Sequence, residues 1–296
     1  MALRGKKPEG RKDKRLKMFV YGAAGVGKTW ATLQFPKAYV IDTERGTQEY
    51  HQRIIDSDSA LLESTDPDEV RQEIMALLTT RHDYRTLIID PITLIYHGLQ
   101  EKWARVFDKY AKTEKERELQ DFGVRYWGRV KSEYKSMQRL LIPLDMNVII
   151  TAHQKDMYGE GFVKLGTTFD SEKKDDYFFD LIFQIEKHGE RRIARTMKER
   201  AEPGKQKFPS EFDWSYDNFC AYYGKDIIER PAEPVAMANP EQVERLNNLV
   251  KILNVEDEIT NKWLTKAEAD SFDQFTQEQI EKCLAALEEK LKGVVQ

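Results

Sequence analysis

Eight consecutive residues constrain this chain more than anything else in it. Gly22, Ala23, Ala24, Gly25, Val26, Gly27, Lys28 and Thr29 fit the pattern G-x-x-x-x-G-K-[ST] in full. Glycines so placed let the backbone fold tightly, and successive N–H groups then point inward and cradle a phosphate. In such a loop the lysine reaches the β- and γ-phosphates, and the hydroxyl of the last residue binds Mg²⁺. All eight are therefore candidate nucleotide contacts, with Lys28 on the phosphates and Thr29 on the metal. The context fits, because a short apolar run at 18–22 reads as a buried strand and a short helix follows, ending near Pro36. That helix would add its positive dipole end to the cradle.

The rest of the chain supplies a sheet to hold such a loop. Residues 38–42, 86–90 and 146–152 are further apolar runs that read as buried strands, and 178–185 and 192–197 read as two more. Between them, 67–80 places Val70, Ile74, Leu77 and Leu78 at helical spacing, and 92–142 is helix-prone and rich in charge and aromatics. Residues 155–177 are polar and contain glycines, and read as a mobile loop. Short apolar strands alternating with helices predict an α/β fold, a mainly parallel sheet flanked by helices. The tyrosine-rich stretch 214–223 closes it.

A linker at 229–239, with Pro231 and Pro234 and no periodicity, follows. Asn239 and Pro240 then mark a helix start. Val243, Leu246, Leu249, Val250 and Leu253 make one stripe, and Ile280, Leu284, Leu287 and Leu291 another, behind a capping box at Thr276 and Gln279. The expected organisation is a basic arm at 1–17, a nucleotide-binding core at 18–228, the linker, and a small helical domain at 240–293.

Charge and composition exclude several classes. Residues 1–17 carry eight Lys/Arg against two Asp/Glu with no apolar stretch, which fits a phosphate-binding or solvated arm and not a secretory signal. The last segment is acidic. No run of 18 apolar residues exists, so no membrane-spanning helix is expected. Two cysteines, Cys220 and Cys283, make neither a disulfide framework nor a zinc site, so a cytoplasmic, thiol-reduced setting is expected.

Two carboxylates complete the expected chemistry. Asp90 ends the strand at 86–90, where a P-loop enzyme holds Mg²⁺ through water. Hydrolysis also needs a carboxylate to activate water. Residue 91 is proline, so that group does not follow Asp90 directly. Glu44 stands two residues beyond Asp42, at the C-terminal edge of its strand, where ligands sit in α/β sheets, and is the candidate base.

Strand, P-loop and helix, together with Ile41-Asp42-Thr43-Glu44 and Leu87-Ile88-Ile89-Asp90, resemble the RecA-like recombinase ATPases. Similarity extends from about residue 15 to 215 and is nearest to the short phage-encoded members of recombination and strand-annealing systems. The segment from Val148 to Gln154 resembles the family strand that ends in an Asn-Gln pair, which implies that Gln154 senses the γ-phosphate and that His153 takes the place of the Asn. Residues 157–177 stand where the family's mobile DNA-binding loop stands, with Lys164, Thr167, Thr168 and Phe169 suited to DNA. The segment from Thr196 to Pro203 resembles the one whose two basic residues reach a neighbouring subunit's ATP, which implies that Lys198 and Arg200 act in trans within a filament or ring.

A second DNA candidate comes from composition. Arg125, Tyr126, Trp127 and Arg129, with Lys131, interleave basic and aromatic residues as single-stranded DNA binding does. A helix with a buried aromatic stripe gives the same pattern. The resemblance thus implies ATP and Mg²⁺ as cofactors and single-stranded DNA and further copies of the chain as partners. The helical tail would recruit a single-strand-binding or annealing protein. Two other readings of the same P-loop stay open: a kinase with 92–142 as its lid, and a nucleotide-gated scaffold or loader without turnover.

Overall fold

A computed structural model describes residues 14–110, 122–267, 269 and 271–295, without the side chains of residues 110, 122–125 and 292–295. Most of the basic arm and the Arg125 side chain lie outside the described residues. The described chain divides into two compact units. A sheet unit gathers residues up to Glu63, Tyr84–Thr93 and Met146–Pro231; a helical unit gathers Ser64–Asp83, Leu94–Asp145 and Ala232 onward.

The sheet unit is mostly parallel. Its strands are β1 (Lys17–Gly22), β2 (Ala38–Asp42), β3 (Ala60–Glu63), β4 (Thr86–Asp90), β5 (Asn147–Tyr158), β6 (Lys164–Phe169), β7 (Leu181–His188), β8 (Arg191–Glu199) and β9 (Glu211–Asp213). Their order across the sheet is β3-β2-β4-β5-β1-β7-β8-β9, with β6 paired to β5 off this path. β1, β4 and the first half of β5 are buried on both faces, which explains their continuous apolar sequences. Its short helices are α1 (Lys28–Thr32), α2 (His51–Asp56), α6 (Asp175–Phe178), α7 (Tyr216–Tyr223) and α8 (Lys225–Glu229).

Alternation within β1 sets the two sides of the sheet. Met18 and Val20 join Val40, Ile88, Ile149 and Phe183 in one cluster, which packs with Phe35 and with Phe219 of α7. Phe183 is its hub, with the rings of Phe208, Phe212, Trp214 and Phe219 between 5.1 and 6.1 Å away. Phe19 faces the other way and meets Phe179 and Phe169 at 5.1 and 4.9 Å. Residues 14–17, expected in the arm, belong to the fold: Arg15 donates to the carbonyls of Arg230 and Pro231, and Lys17 opens β1.

Residues 155–177, expected as a mobile loop, hold a hairpin and a short turn. β5 runs on past its buried half to Tyr158, and β6 returns antiparallel beside it, with Gln154 opposite Phe169 and Asp156 opposite Thr167. The strand expected from 178 starts at Leu181, because 175–178 forms the single turn α6.

The helical unit contains α3 (Pro67–Thr79), α4 (Ile92–Tyr110, from Leu94 on), α5 (Phe122–Leu141), α9 (Pro240–Ile252), α10 (Asp257–Ala267) and α11 (Gln277–Val295). Among the described residues, the helix-prone stretch 92–142 thus holds two helices. Asp66 caps α3 by accepting from the Asp68 N–H, with Pro67 at the first position. Asn239 and Gln242 form a reciprocal capping box on α9, and Thr276 and Gln279 do the same ahead of α11. Leu246 and Leu249 pack with Phe275, Ile280, Leu284 and Leu287 in a core of their own.

Candidate nucleotide site

The turn from β1 into α1 curls as its glycines require. Gly25 and Gly27 adopt φ of 72° and 92°, the left-handed region that glycine enters without a Cβ penalty. Lys28 Nζ folds back across the loop, donating to the carbonyls of Gly22 and Ala23 at 3.0 and 3.1 Å. Burial lowers the Lys28 pKa, opposed by the nearby charges of Asp90 and Glu44.

Asp42 builds the loop that carries Glu44. One of its oxygens accepts from the N–H groups of Glu44 and Gly46 at 3.1 and 3.2 Å, and the other from the Thr47 N–H and hydroxyl at 2.9 and 2.5 Å. Next door, the Thr43 N–H donates to Asp90 O at 2.9 Å and its hydroxyl to Pro91 O at 2.7 Å. The loop bearing Glu44 is therefore tied to the end of β4.

Asp90 itself is buried at that end. It accepts from the hydroxyls of Thr151 and Thr29. Burial is the largest influence on its carboxyl and raises the pKa above the usual range; the two hydroxyls oppose this, and Glu44 and Asp42 add to it. A carboxyl joined to the P-loop hydroxyl is the donor pair that a divalent cation beside a phosphate uses.

His153 and Gln154 come from β5, just where it leaves the sheet. His153 Nε2 lies 2.9 Å from Glu44 Oε2. Its N–H donates to the Thr93 hydroxyl at 2.9 Å, and that hydroxyl donates to Asp170 O at 2.8 Å. Gln154 Oε1 accepts from Gln184 Nε2 at 3.0 Å, and the same amide donates to the Thr167 hydroxyl at 3.2 Å. The root of the β5–β6 hairpin is thus hydrogen-bonded beside Glu44.

Lys28, Thr29, Glu44, His153 and Gln154 share one cleft of about 900 Å³, lined on one side by Glu44, Gly46, His153 and Gln154. Its other side holds residues that no motif marks: Glu190, Arg191, Arg192, Asp213 and Trp214, with Trp30 and Tyr50 also on the lining. Arg191 forks onto Asp213 at 2.8 and 2.5 Å. The only sequence cue to this wall is a Gly189 turn followed by two arginines, which is unremarkable in an edge hairpin.

Other candidates lie elsewhere. Lys198 donates to the carbonyls of Asp176 and Phe179, and Arg200 pairs with Asp180 at 3.0 Å and donates to Tyr177 O. Both brace the turn before β7 within their own chain. Lys164 pairs with Asp156 at 2.7 Å. Phe169 packs at the hairpin root on Phe19 and Tyr21, at 4.9 and 5.9 Å. Phe162 at the tip is instead 90% exposed, and Tyr158 is 56% exposed. Tyr126, Trp127 and Arg129 belong to α5 of the helical unit. Tyr126 is buried against Phe107 at 4.8 Å, and the Arg129 guanidinium sits 5.9 Å from the Trp103 ring centre.

A phosphate cradle on a central parallel strand, with a buried aspartate on the strand two places away, defines a P-loop nucleotide-binding protein. A family model described as AAA domain matches residues 14–208, well over half of the chain, and the chain belongs to that family. Among solved structures, the crystal structure of the RadB recombinase is similar at 18% identity, over 62% of this chain and 81% of that one, with a TM-score of 0.36. No curated protein sequence matches the chain.

Proposed function

We propose that this chain is a Mg²⁺-dependent ATPase of the RecA-like type, stimulated by single-stranded DNA and acting in phage-type homologous recombination or strand annealing. The observation that carries the ATPase reading is the meeting of Glu44, Lys28 and Thr29 around one cleft, with the buried Asp90 carboxyl next to Thr29. Two features fit a nucleotide there. Only glycine at 27 lets the Arg192 side chain lie against the loop, since a Cβ there would stand 2.9 Å from Arg192 Nε, and that buried nitrogen has no hydrogen-bond partner.

Mg²⁺, held by Thr29 and through water by Asp90, would neutralise charge on the β- and γ-phosphates. Lys28 exchanges its two carbonyl partners for phosphate oxygens. Glu44 orients and deprotonates the attacking water, while His153 fixes the direction of its carboxylate. Gln154 stands at the same edge, bonded through Gln184 to Thr167 of β6.

The hairpin supports the DNA half of the reading. It offers exposed rings, Tyr158 and Phe162, and two lysines, Lys155 and Lys164, the combination that stacks bases and tracks a backbone. Its root touches the residue that holds Glu44, so DNA at the tip and water activation at the site share one strand. Copies of the chain would line up along DNA as a filament or ring, and the helical tail would engage a single-strand-binding or annealing protein.

The test is the steady-state ATPase rate of the purified chain, with and without single-stranded DNA, at low and moderate salt. Stimulation that fades as salt rises is expected. A DNA-independent rate removes the DNA half of the reading. Unchanged hydrolysis in Lys28→Ala removes the P-loop as the site of that activity.

A further inference from the structure

We propose that Arg192 is a phosphate ligand supplied by the chain to its own P-loop, binding the diphosphate that ATP and ADP share. The inference rests on the nucleotide reading of the cleft and adds a residue that the motif does not contain.

Four observations support it. Arg192 Nε is buried and has no hydrogen-bond partner. A guanidinium N–H removed from water without a partner is costly, so a site of this kind is built for an acceptor. Second, the side chain lies against the cradle: a Cβ added to Gly27 would stand 2.9 Å from Arg192 Nε, 3.7 Å from Cδ and 3.8 Å from Cζ. Third, its Nη1 turns back onto the Glu190 carbonyl at 2.9 Å, a contact within its own hairpin that an incoming phosphate can replace. Fourth, the neighbouring Arg191 has its fork filled by Asp213, so the absence of a partner on Nε is particular to Arg192 and not general to the strand.

Sheet order says which phosphates Arg192 meets. Glu44 and His153 reach the cleft from β2 and β5, and Asp90 ends β4, all on one side of β1. Arg192 reaches it from β8, beyond β7 on the other side. Water activation, and so the γ-phosphate, belongs to the first side. Arg192 faces the part of the nucleotide that stays behind after hydrolysis. A guanidinium suits that role because its planar donors match two phosphate oxygens at once.

The experiment is calorimetric titration of the full chain with ADP, with ATP and with inorganic pyrophosphate, for wild type, Arg192→Gln and Arg192→Lys, beside melting curves without ligand. Arg192→Gln should weaken ADP and ATP alike by about 10–100-fold, the scale of one charge-assisted contact, and should weaken pyrophosphate too. Arg192→Lys should recover part of that loss, and neither should lower the ligand-free melting temperature. Unchanged ADP affinity in Arg192→Gln would overturn the proposal, and so would a loss confined to ATP. A loss that tracks a fall in melting temperature, with Arg192→Lys binding as wild type does, would show a packing role and overturn it as well. A wild-type chain that binds none of the three ligands would overturn the nucleotide reading itself.

Discussion

Gly22 and Gly25 belong to one motif, yet the structure requires each for a different reason, and substitution separates the two. A Cβ at Gly22 would lie 2.5 Å from the Ile185 carbonyl oxygen and 3.0 Å from Val26 Cγ2. Ordinary carbon contacts begin near about 3.4 Å, so most of an ångström must be found. The nearest atom is backbone of β7, paired with β1, and cannot swing aside as a side chain would. Gly22→Ala should therefore cost about 1–3 kcal/mol, as overpacking does. For a domain of this size that lowers the melting temperature by about 2–12 °C. The carbonyl of Gly22 also receives Lys28 Nζ, so nucleotide affinity should fall with it.

Gly25 has φ of 72° and nothing within 4 Å of an added Cβ. Gly25→Ala meets only the left-handed backbone, about 1–2 kcal/mol. Asparagine tolerates that conformation, so Gly25→Asn should be more stable than Gly25→Ala. At Gly22 the order should reverse, because asparagine only adds atoms to a clash. Melting curves of the four variants, with ADP titrations, decide it. A Gly22→Ala chain as stable as wild type, or a Gly22→Asn chain more stable than Gly22→Ala, would refute the steric argument.

Three further outcomes follow from the site and core. Lys28→Ala should abolish nucleotide binding as read by calorimetry, while the melting temperature without nucleotide holds, since the lysine bonds only its own loop. Glu44→Gln should still bind ATP but turn it over at least ~10²-fold more slowly, as loss of a general base does; single-turnover rates near wild type would place the base elsewhere. Phe183→Ala removes the ring at the centre of the aromatic cluster and should cost about 3–5 kcal/mol in chemical denaturation; a loss under about 1 kcal/mol would mean that the cluster repacks.

What the sequence shows plainly is what local physics dictates. β1, β2, β4 and the buried half of β5 are legible because strands covered on both faces must be apolar throughout, and the P-loop because glycine spacing has few other uses. The helix start at Asn239 and Pro240 and the capping box at Thr276 are legible because caps draw on few residue types. β3 and β9 are not: four and three residues long, they carry no clear alternation. β6 escapes notice because Lys164, Gly166 and two threonines look like loop chemistry until β5 supplies a pairing partner. Arg192 is the hardest case. Its meaning depends on a glycine 165 positions earlier, brought to it only by sheet order. Tyr126 shows the converse, since a basic–aromatic pattern suited to nucleic acid also describes a ring packed on Phe107.

β5 has a mechanical consequence. Its first half is clamped between β1 and β4; beyond His153 its backbone pairs with β6 alone among the described strands, and the Gln154 side chain still bonds Gln184 of β7. From His153 to Tyr158 the strand extends about 17 Å. A swing of the outer arm by about 10° about its clamp moves the tip by about 3 Å, yet shifts atoms at the fulcrum by only a few tenths. Read in reverse, breaking or making the 2.9 Å contact between His153 and Glu44 is a small stroke at the short end of a lever, amplified at the long end. The rigidity that makes the amplification possible comes from backbone pairing, so a proline introduced at Thr167, opposite Asp156, should uncouple tip from fulcrum while leaving the clamp intact.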